Sequence, residues 1–409
     1  MKIAAIVGRG TKTRLLEASL VLTQATSVVV SVILARALGP EGRGALVVLM
    51  LCTQLLGWTM SFSLDKAVPI LSRTTGRDKR LYYATASSSA RAVSAVLLPV
   101  ATVGFALWTG EALLALALAL GGAAGAGYEM RLSQPLTDGN LARYSLLRIV
   151  QPITYLAFTV AALLLTASAP VQLRVVVCGL AAAASIGAAY IAAGRRLWDR
   201  PIPSRSLRRS VLRFGATVHA STVFQYLNAR LDVLLVAVLF NQRDVGIYAV
   251  GAAAGQALVF MGSAGIARGL AGAAKRFDIA GILAVCVIAL IGAAIAPVAV
   301  PLVFGADFAD SVPIARVLLL GGVLGYGSAA ANGRLLGAAR PSAAALAQAS
   351  GAAALVLGVT VFHASLLAVS FSAAASYGVS MAVGEALLRR DSNGRIERRA
   401  LPHVPVPPE

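Results

Sequence analysis

Residues 217–248, TVHASTVFQYLNARLDVLLVAVLFNQRDVGIY, decide what kind of chain this is. Thr217, Ser221, Gln225, Asn228 and Asp232 follow one another at steps of four, four, three and four, so a helix carries them on one face. The other positions are mostly Val, Leu, Ala and Phe, which reads as a membrane-spanning helix with a polar stripe. An ionisable side chain near the bilayer centre costs ~2.5–3.5 kcal/mol on insertion scales, so the stripe needs protein or water to face. Arg230 stands two residues from Asp232, about 200° around the helix, and the two cannot bridge within it. Two readings stay open. Either Asp232 and Arg230 each lock onto a neighbouring helix, or the stripe lines a cavity.

Composition agrees with a membrane chain. Of 409 residues, 58% are hydrophobic and 13% charged, against about 25% charged in a soluble domain. Mean hydropathy is +0.79. The net charge of +19 would suit nucleic acid if it formed one patch, but Lys and Arg sit in short runs between apolar segments. No nucleic-acid partner is expected. Cys52, Cys178 and Cys286 lie singly in apolar runs, and His219, His363 and His403 are scattered, so neither a disulfide framework nor a metal site is expected.

Working outward, about twelve apolar segments are long enough to cross a bilayer: 15–38, 45–63, 84–107, 112–130, 144–166, 172–193, 212–239, 245–267, 279–304, 313–336, 342–361 and 365–388. With the N-terminus inside, twenty-nine of the 36 Lys and Arg residues fall in inner connections or tails. Three fall in outer connections (Arg43, Arg174, Arg243) and four within spans. The positive-inside rule therefore puts both termini in the cytoplasm. The basic stretch GRRLWDRPIPSRSLRRSVLR at 194–213 reads as a linker between six-helix halves. The expected organisation is 1–193, a cytoplasmic linker over 194–211, 212–390, and a polar tail over 391–409.

The halves look like repeats. LGPEGRGALVV (38–48) follows the first span and FNQRDVGIYAV (240–250) the seventh; placing Gly44 on Gly246 gives an offset of 202. At nearly that offset Gln24 meets Gln225, Ser27 meets Asn228 and Ser31 meets Asp232. TDGNLAR (137–143) resembles LLGAAR (335–340) at about 198. Six helices per half make the repeats parallel, with a cavity expected between them. The fold class is thus an all-α integral membrane protein of about twelve helices in two pseudo-symmetric lobes.

LARALGPEGRGAL in the first hairpin, LNARLDVLLVAVLFNQRDVGIYAV in the second half's first hairpin and LARYSLLRIVQPITY entering the fifth span carry a resemblance. They resemble the polysaccharide transporter, or oligosaccharide flippase, branch of the multidrug/oligosaccharidyl-lipid/polysaccharide (MOP) exporter superfamily, over roughly residues 12–388. The resemblance implies a two-lobed transporter of the bacterial cytoplasmic membrane working by alternating access. Its cargo would be an undecaprenyl-diphosphate-linked oligosaccharide for surface polysaccharide. A monomer is expected, with association with polysaccharide assembly proteins left open.

That task breaks no bond, so no enzyme activity and no cofactor is expected, with proton or sodium coupling the one ion requirement considered. It needs cations for a diphosphate and amides or hydroxyls for sugars, because unsatisfied polar groups cost several kcal/mol in hydrocarbon. Arginine suits diphosphate through its bidentate fork. Candidate cavity residues are Arg91 (on a face with Ser87 and Ser94), Arg148 and Gln151 (with Tyr144 and Tyr155), Gln24, Gln225, Asn228 and Arg230. Snorkelling to the interface is the competing reading for Arg148. Asp232, read as the one carboxylate deep in a span, is the ion-coupling candidate. The alternative function is a cation-coupled drug or small-molecule exporter of the same superfamily.

Overall fold

The computed structural model describes residues 2–75, 78–194, 205–270, 279–362 and 365–393. Most of the expected linker and tail lies outside those residues. The described residues are almost entirely helical: α1 Lys2–Ser61, α2 Leu64–Thr75, α3 Lys79–Thr109, α4 Ala112–Thr137, α5 Leu141–Leu165 and α6 Val171–Ala192 fall in the expected first lobe. The second comprises α7 Arg205–Leu239, α8 Gln242–Leu270, α9 Ile279–Phe304, α10 Ser311–Gly337, α11 Pro341–Phe362 and α12 Leu366–Asn393.

Among the described residues, eleven helical stretches are long and apolar enough to cross a membrane. The first, Ala18–Thr75, has 58 residues and would reach about 87 Å as one rod, far beyond a ~30 Å hydrocarbon core. It turns back at Gly39, whose φ of 67° favours glycine, and Pro40 starts the returning arm. Arg43 on that arm donates from Nη2 to Ser31 Oγ at 2.9 Å, which ties the two arms together. Counted as two arms, the first stretch brings the apolar helices of membrane-spanning length among the described residues to twelve, the number the sequence implies. A second break at Phe62 and Ser63, with φ of 49° and 51°, ends the returning arm and starts α2.

The repeat is visible in the turns. After α4, the Asp138, Gly139 and Asn140 amides donate to the Gln134, Leu136 and Pro135 carbonyls, and Gly139 has φ 69°. After α10, the Ala338, Ala339 and Arg340 amides donate to the Arg334, Leu336 and Leu335 carbonyls, and Ala339 has φ 57°. The two turns are the same C-terminal cap 200 residues apart, slightly longer than the offset of 198 that the letters suggest.

Helix faces sort by solvent. On α3, Val96, Val100, Val103 and Leu107 are exposed at helical spacing. On α9, Leu283, Val287, Leu290, Val298 and Leu302 are exposed. These are the surfaces a bilayer covers. The interior faces instead carry small residues: Gly255 and Gly322 of α8 and α10 lie so close that added side chains would meet the opposing backbone.

Candidate functional site at the seam between the lobes

The polar stripe of α7 turns into the second lobe. Asn228, 3% exposed, donates from Nδ2 to Gln348 Oε1 at 3.1 Å on α11. Gln348 passes the chain on from Nε2 to Ser328 Oγ at 3.3 Å on α10, and Ser328 meets Ser380 of α12 at 2.8 Å. Gly351 is what admits Asn228, since a Cβ there would stand 2.8 Å from Asn228 Oδ1. Asp232, 4% exposed, accepts from the Tyr248 hydroxyl of α8 at 2.9 Å. A cavity position between the lobes was expected for Asn228 and Asp232. Their partners lie within one lobe, because α11 supplies an acceptor to Asn228 and α8 a donor to Asp232. Three buried oxygens of the stripe, Ser221 Oγ, Asn228 Oδ1 and Asp232 Oδ1, have no hydrogen-bond partner among the described residues.

Arg230, on the far side of α7, is half-buried and donates to Gln256 of α8. It points the same way as Tyr226, whose hydroxyl donates to the Leu51 carbonyl of the first lobe at 2.9 Å and whose ring meets Trp58 edge-on at 4.4 Å. This face of α7, not the stripe, looks at the first lobe.

At the end that the charge pattern of the sequence predicts to face away from the cytoplasm, the outer end, the lobes meet backbone to backbone. A Cβ on Gly44 would collide with the Gln242 carbonyl, and one on Gly246 with the Pro40 carbonyl. These are the two glycines that the repeat superposes. Nearby, Arg36 donates to the Leu302 and Val303 carbonyls, capping the last turn of α9 from across the seam.

At the inner end long side chains make the contacts. Arg73 donates to the Gly337 carbonyl at 2.8 Å and the Leu270 carbonyl at 3.3 Å, at the ends of α10 and α8. Lys66 donates to Thr222 Oγ1 at 3.2 Å, and His219 stacks on Phe62 and lies 3.1 Å from Ser63 Oγ. Apolar packing runs through Leu64, Ile70, Val211, Val218 and Leu336.

Arg148 joins this inner seam. It donates to the Tyr144 hydroxyl at 2.9 Å and lies 5.3 Å from the ring of Phe260, in the other lobe. Its Nε is buried without a partner. Glu129, Lys66 and Asp65 belong to the same electrostatic group. Asp232 is thus not the one carboxylate inside a helical span: Glu129 lies well within α4, whose inner end continues past the apolar run to Thr137. The sequence reading placed Asp65 and Lys66 in a loop, because the break at Phe62 and Ser63 cannot be seen in the letters.

Arg91 is corrected outright. It is exposed and, among the bonds described, donates from Nε only to the Ser87 carbonyl of its own helix. The helix begins at Lys79, and Arg91 lies 18 residues, about 27 Å, from Thr109, close to the ~30 Å length that a hydrocarbon core spans. Gln24, Gln151 and Gln225 are half-buried and are not brought to one point with the arginines by any described bond.

No protein-family description matches this sequence, and no curated protein matches it. Solved structures do. A eukaryotic MATE transporter, AtDTX14, is similar with a TM-score of 0.70 at 15% identity, over 94% of this chain and 96% of that one. A MOP superfamily transporter from Pyrococcus furiosus, described as having a binding pocket of reversed polarity that suggests a different function, is similar at 0.67 and 15% identity, over 93% and 95%. Outward-facing and inward-facing structures of a multidrug resistance MATE family transporter each score 0.64 at 14% identity, covering 93% and 92% of this chain and 95% and 94% of theirs. The chain therefore has the fold of MOP superfamily transporters and is a multi-pass membrane protein.

Proposed function

We propose that this protein is an alternating-access exporter of an anionic, amphipathic cargo, residing in the cytoplasmic membrane with both termini inside. Within that class, the undecaprenyl-diphosphate-linked oligosaccharide is the member to which the hairpin motifs point. The single observation that carries the cargo charge is Arg148: a guanidinium at the inner seam, facing Phe260 of the other lobe, with Glu129 in its electrostatic group and one buried donor, Nε, left without a hydrogen bond. A buried donor of this kind gains most from an anion that accepts from it. The equal likeness to inward- and outward-facing structures supports a scaffold that cycles between them. Polysaccharide assembly proteins remain the partners considered.

Reconstitution tests it. Proteoliposomes carrying a fluorescent polyprenyl-diphosphate sugar on one leaflet should show transfer that is lost with Arg148→Gln, while a cationic dye is not moved. Dye movement without lipid transfer would overturn the proposal.

One observation favours the second reading, a cation-coupled small-molecule exporter: the unpartnered Oδ1 atoms of Asp232 and Asn228, one helical turn apart. Oxygen atoms so placed can share a proton or a sodium ion. Asp232→Asn should then remove dependence on the ion gradient while leaving the folded protein intact. Unchanged gradient dependence would rule the coupling role out.

A further inference from the structure

One face of α7 meets the first lobe in a series of rungs. Gly215, His219, Thr222 and Tyr226 follow at steps of four, three and four, so they share a side. Gly215 lies against Leu64, where a Cβ would stand 2.7 Å from Cδ2. His219 stacks on Phe62 with ring centroids 4.9 Å apart, and its Nδ1 lies 3.1 Å from Ser63 Oγ. Thr222 accepts from Lys66 Nζ at 3.2 Å, and Tyr226 meets Trp58. The inner rungs grip a strained place. Phe62 and Ser63 hold φ of 49° and 51°, a left-handed conformation that costs a residue with a side chain and persists only where its surroundings impose it. The Ser63 amide donates to Ser61 Oγ at 3.2 Å, but among the bonds described Ser63 Oγ meets only His219.

His219 is the group on this face that changes charge near neutral pH. Facing it from α2 are Lys66, whose ammonium serves the next rung about one helical turn away, and Asp65, which turns instead to Ser61 at 3.4 Å. α11 carries no ionisable residue, and Glu385 of α12 is paired with Arg334. On α3 and α7 the inner cations Lys79, Arg80, Arg91 and Arg213 are exposed, and Tyr82 and Tyr83 bond within the first lobe. The charged side chains described on α8 and on the returning arm of α1 stand at the outer end.

We propose that His219 and the Phe62–Ser63 break form a proton-sensitive clasp at the inner end of the seam. The neutral ring holds the break in its strained form. Protonation puts a second positive charge about one turn from Lys66 in a half-buried place, where repulsion is screened less than in water. It also obliges both ring nitrogens to donate. The clasp then loosens, the left-handed pair relaxes, and the population shifts toward separated inner ends. The neighbouring rungs stay in place, so the response is graded. The inference goes beyond the exporter reading and needs no cargo.

The test uses the full chain in nanodiscs, with Cys52, Cys178 and Cys286 replaced by alanine. Nitroxide labels go on Thr74→Cys of α2 and Arg390→Cys of α12, exposed positions at the inner ends of the two lobes. Between pH 8 and pH 5.5, spin-label distances should show a longer population that grows several-fold on acidification and reverses. His219→Gln, which cannot take the charge, should keep the pH 8 distribution throughout. Lys66→Gln keeps the histidine but removes its neighbour, and should shrink the response to about half or less. Ser63→Gly keeps the break without its cost, because glycine adopts the left-handed region freely. It should reduce the longer population about fivefold at every pH. If His219→Gln does not fold, Lys66→Gln carries the same reading. An unchanged acid response in His219→Gln or in Lys66→Gln would overturn the clasp, by assigning the response to a carboxylate elsewhere. A longer population that shrinks on acidification would overturn it too, since Phe62 would then be holding the imidazolium. A Ser63→Gly chain that behaves as the parent does would remove the strained break from the device and overturn it as stated.

Discussion

The two lobes touch at both ends, but the outer seam is made of backbone and the inner seam of long side chains. At the outer end, Gly44 and Gly246 allow carbonyls of the opposing hairpins into the space side chains would take. At the inner end, Arg73, Lys66 and Arg148 reach across through flexible carbons, Arg73 to two carbonyls and the others to one group each. A backbone contact admits one geometry and tolerates nothing in between. Side-chain contacts can be exchanged for water one at a time, each at a modest net cost. The difference teaches that the outer end should behave as a two-position latch and the inner end as a graded one.

The largest effect should come from filling the outer contact. Gly246→Ala puts a methyl group against the Pro40 carbonyl. Overpacking of ~1–3 kcal/mol shifts closure by roughly fivefold to somewhat over a hundredfold. Transport should fall accordingly, and a cysteine placed at Asn241 should become more reactive to an impermeant maleimide from outside. Gly104→Ala, where a Cβ meets nothing within 4 Å, is the matched control and should change neither. A silent Gly246→Ala would break the latch picture.

Next in size is a change that should leave both seams alone. Gln348→Leu strands Asn228 inside the second lobe, which costs ~1–3 kcal/mol for an unpaired buried polar group. Chemical denaturation should register that loss, and the Asn228→Leu/Gln348→Leu pair should recover part of it. Altered maleimide access at either face in these variants would mean that the lobe interior, too, moves between states.

The smallest effect is expected at the inner end. Arg73→Ala removes two hydrogen bonds to helix ends, one exposed and one part-buried, and should cost ~1 kcal/mol. Inner-face cysteine labelling at Thr222 should rise no more than a few-fold. A loss as large as that of Gly246→Ala would erase the distinction between the seams.

Much of the architecture could be read from letters, because a bilayer imposes a length on every crossing and a sign on every inner connection. The repeat could be read as well, and its two aligned glycines became a physical contact. The site was harder. Arg43 looks like a loop residue until Gly39 folds the chain back and brings it over Ser31. Arg91 looks internal until α3 is seen to begin at Lys79. The stripe on α7 was real as a face, but a period says which residues share a side and not which neighbour that side meets. For Asn228 the neighbour is Gln348, 120 positions later.

Arg36 carries a consequence in time. Its acceptors on α9 lie up to 267 residues downstream. At synthesis rates of ~5–20 residues per second, Arg36 waits ~13–53 s for carbonyls that do not yet exist. For that interval the first hairpin has only its own lobe to hold it, and its guanidinium has only water and headgroups at the outer interface. The outer seam is therefore among the last parts of the molecule to be born. A chain arrested before α9 would carry a first lobe with its latch surface open, available to whatever else in the membrane offers an uncapped helix end.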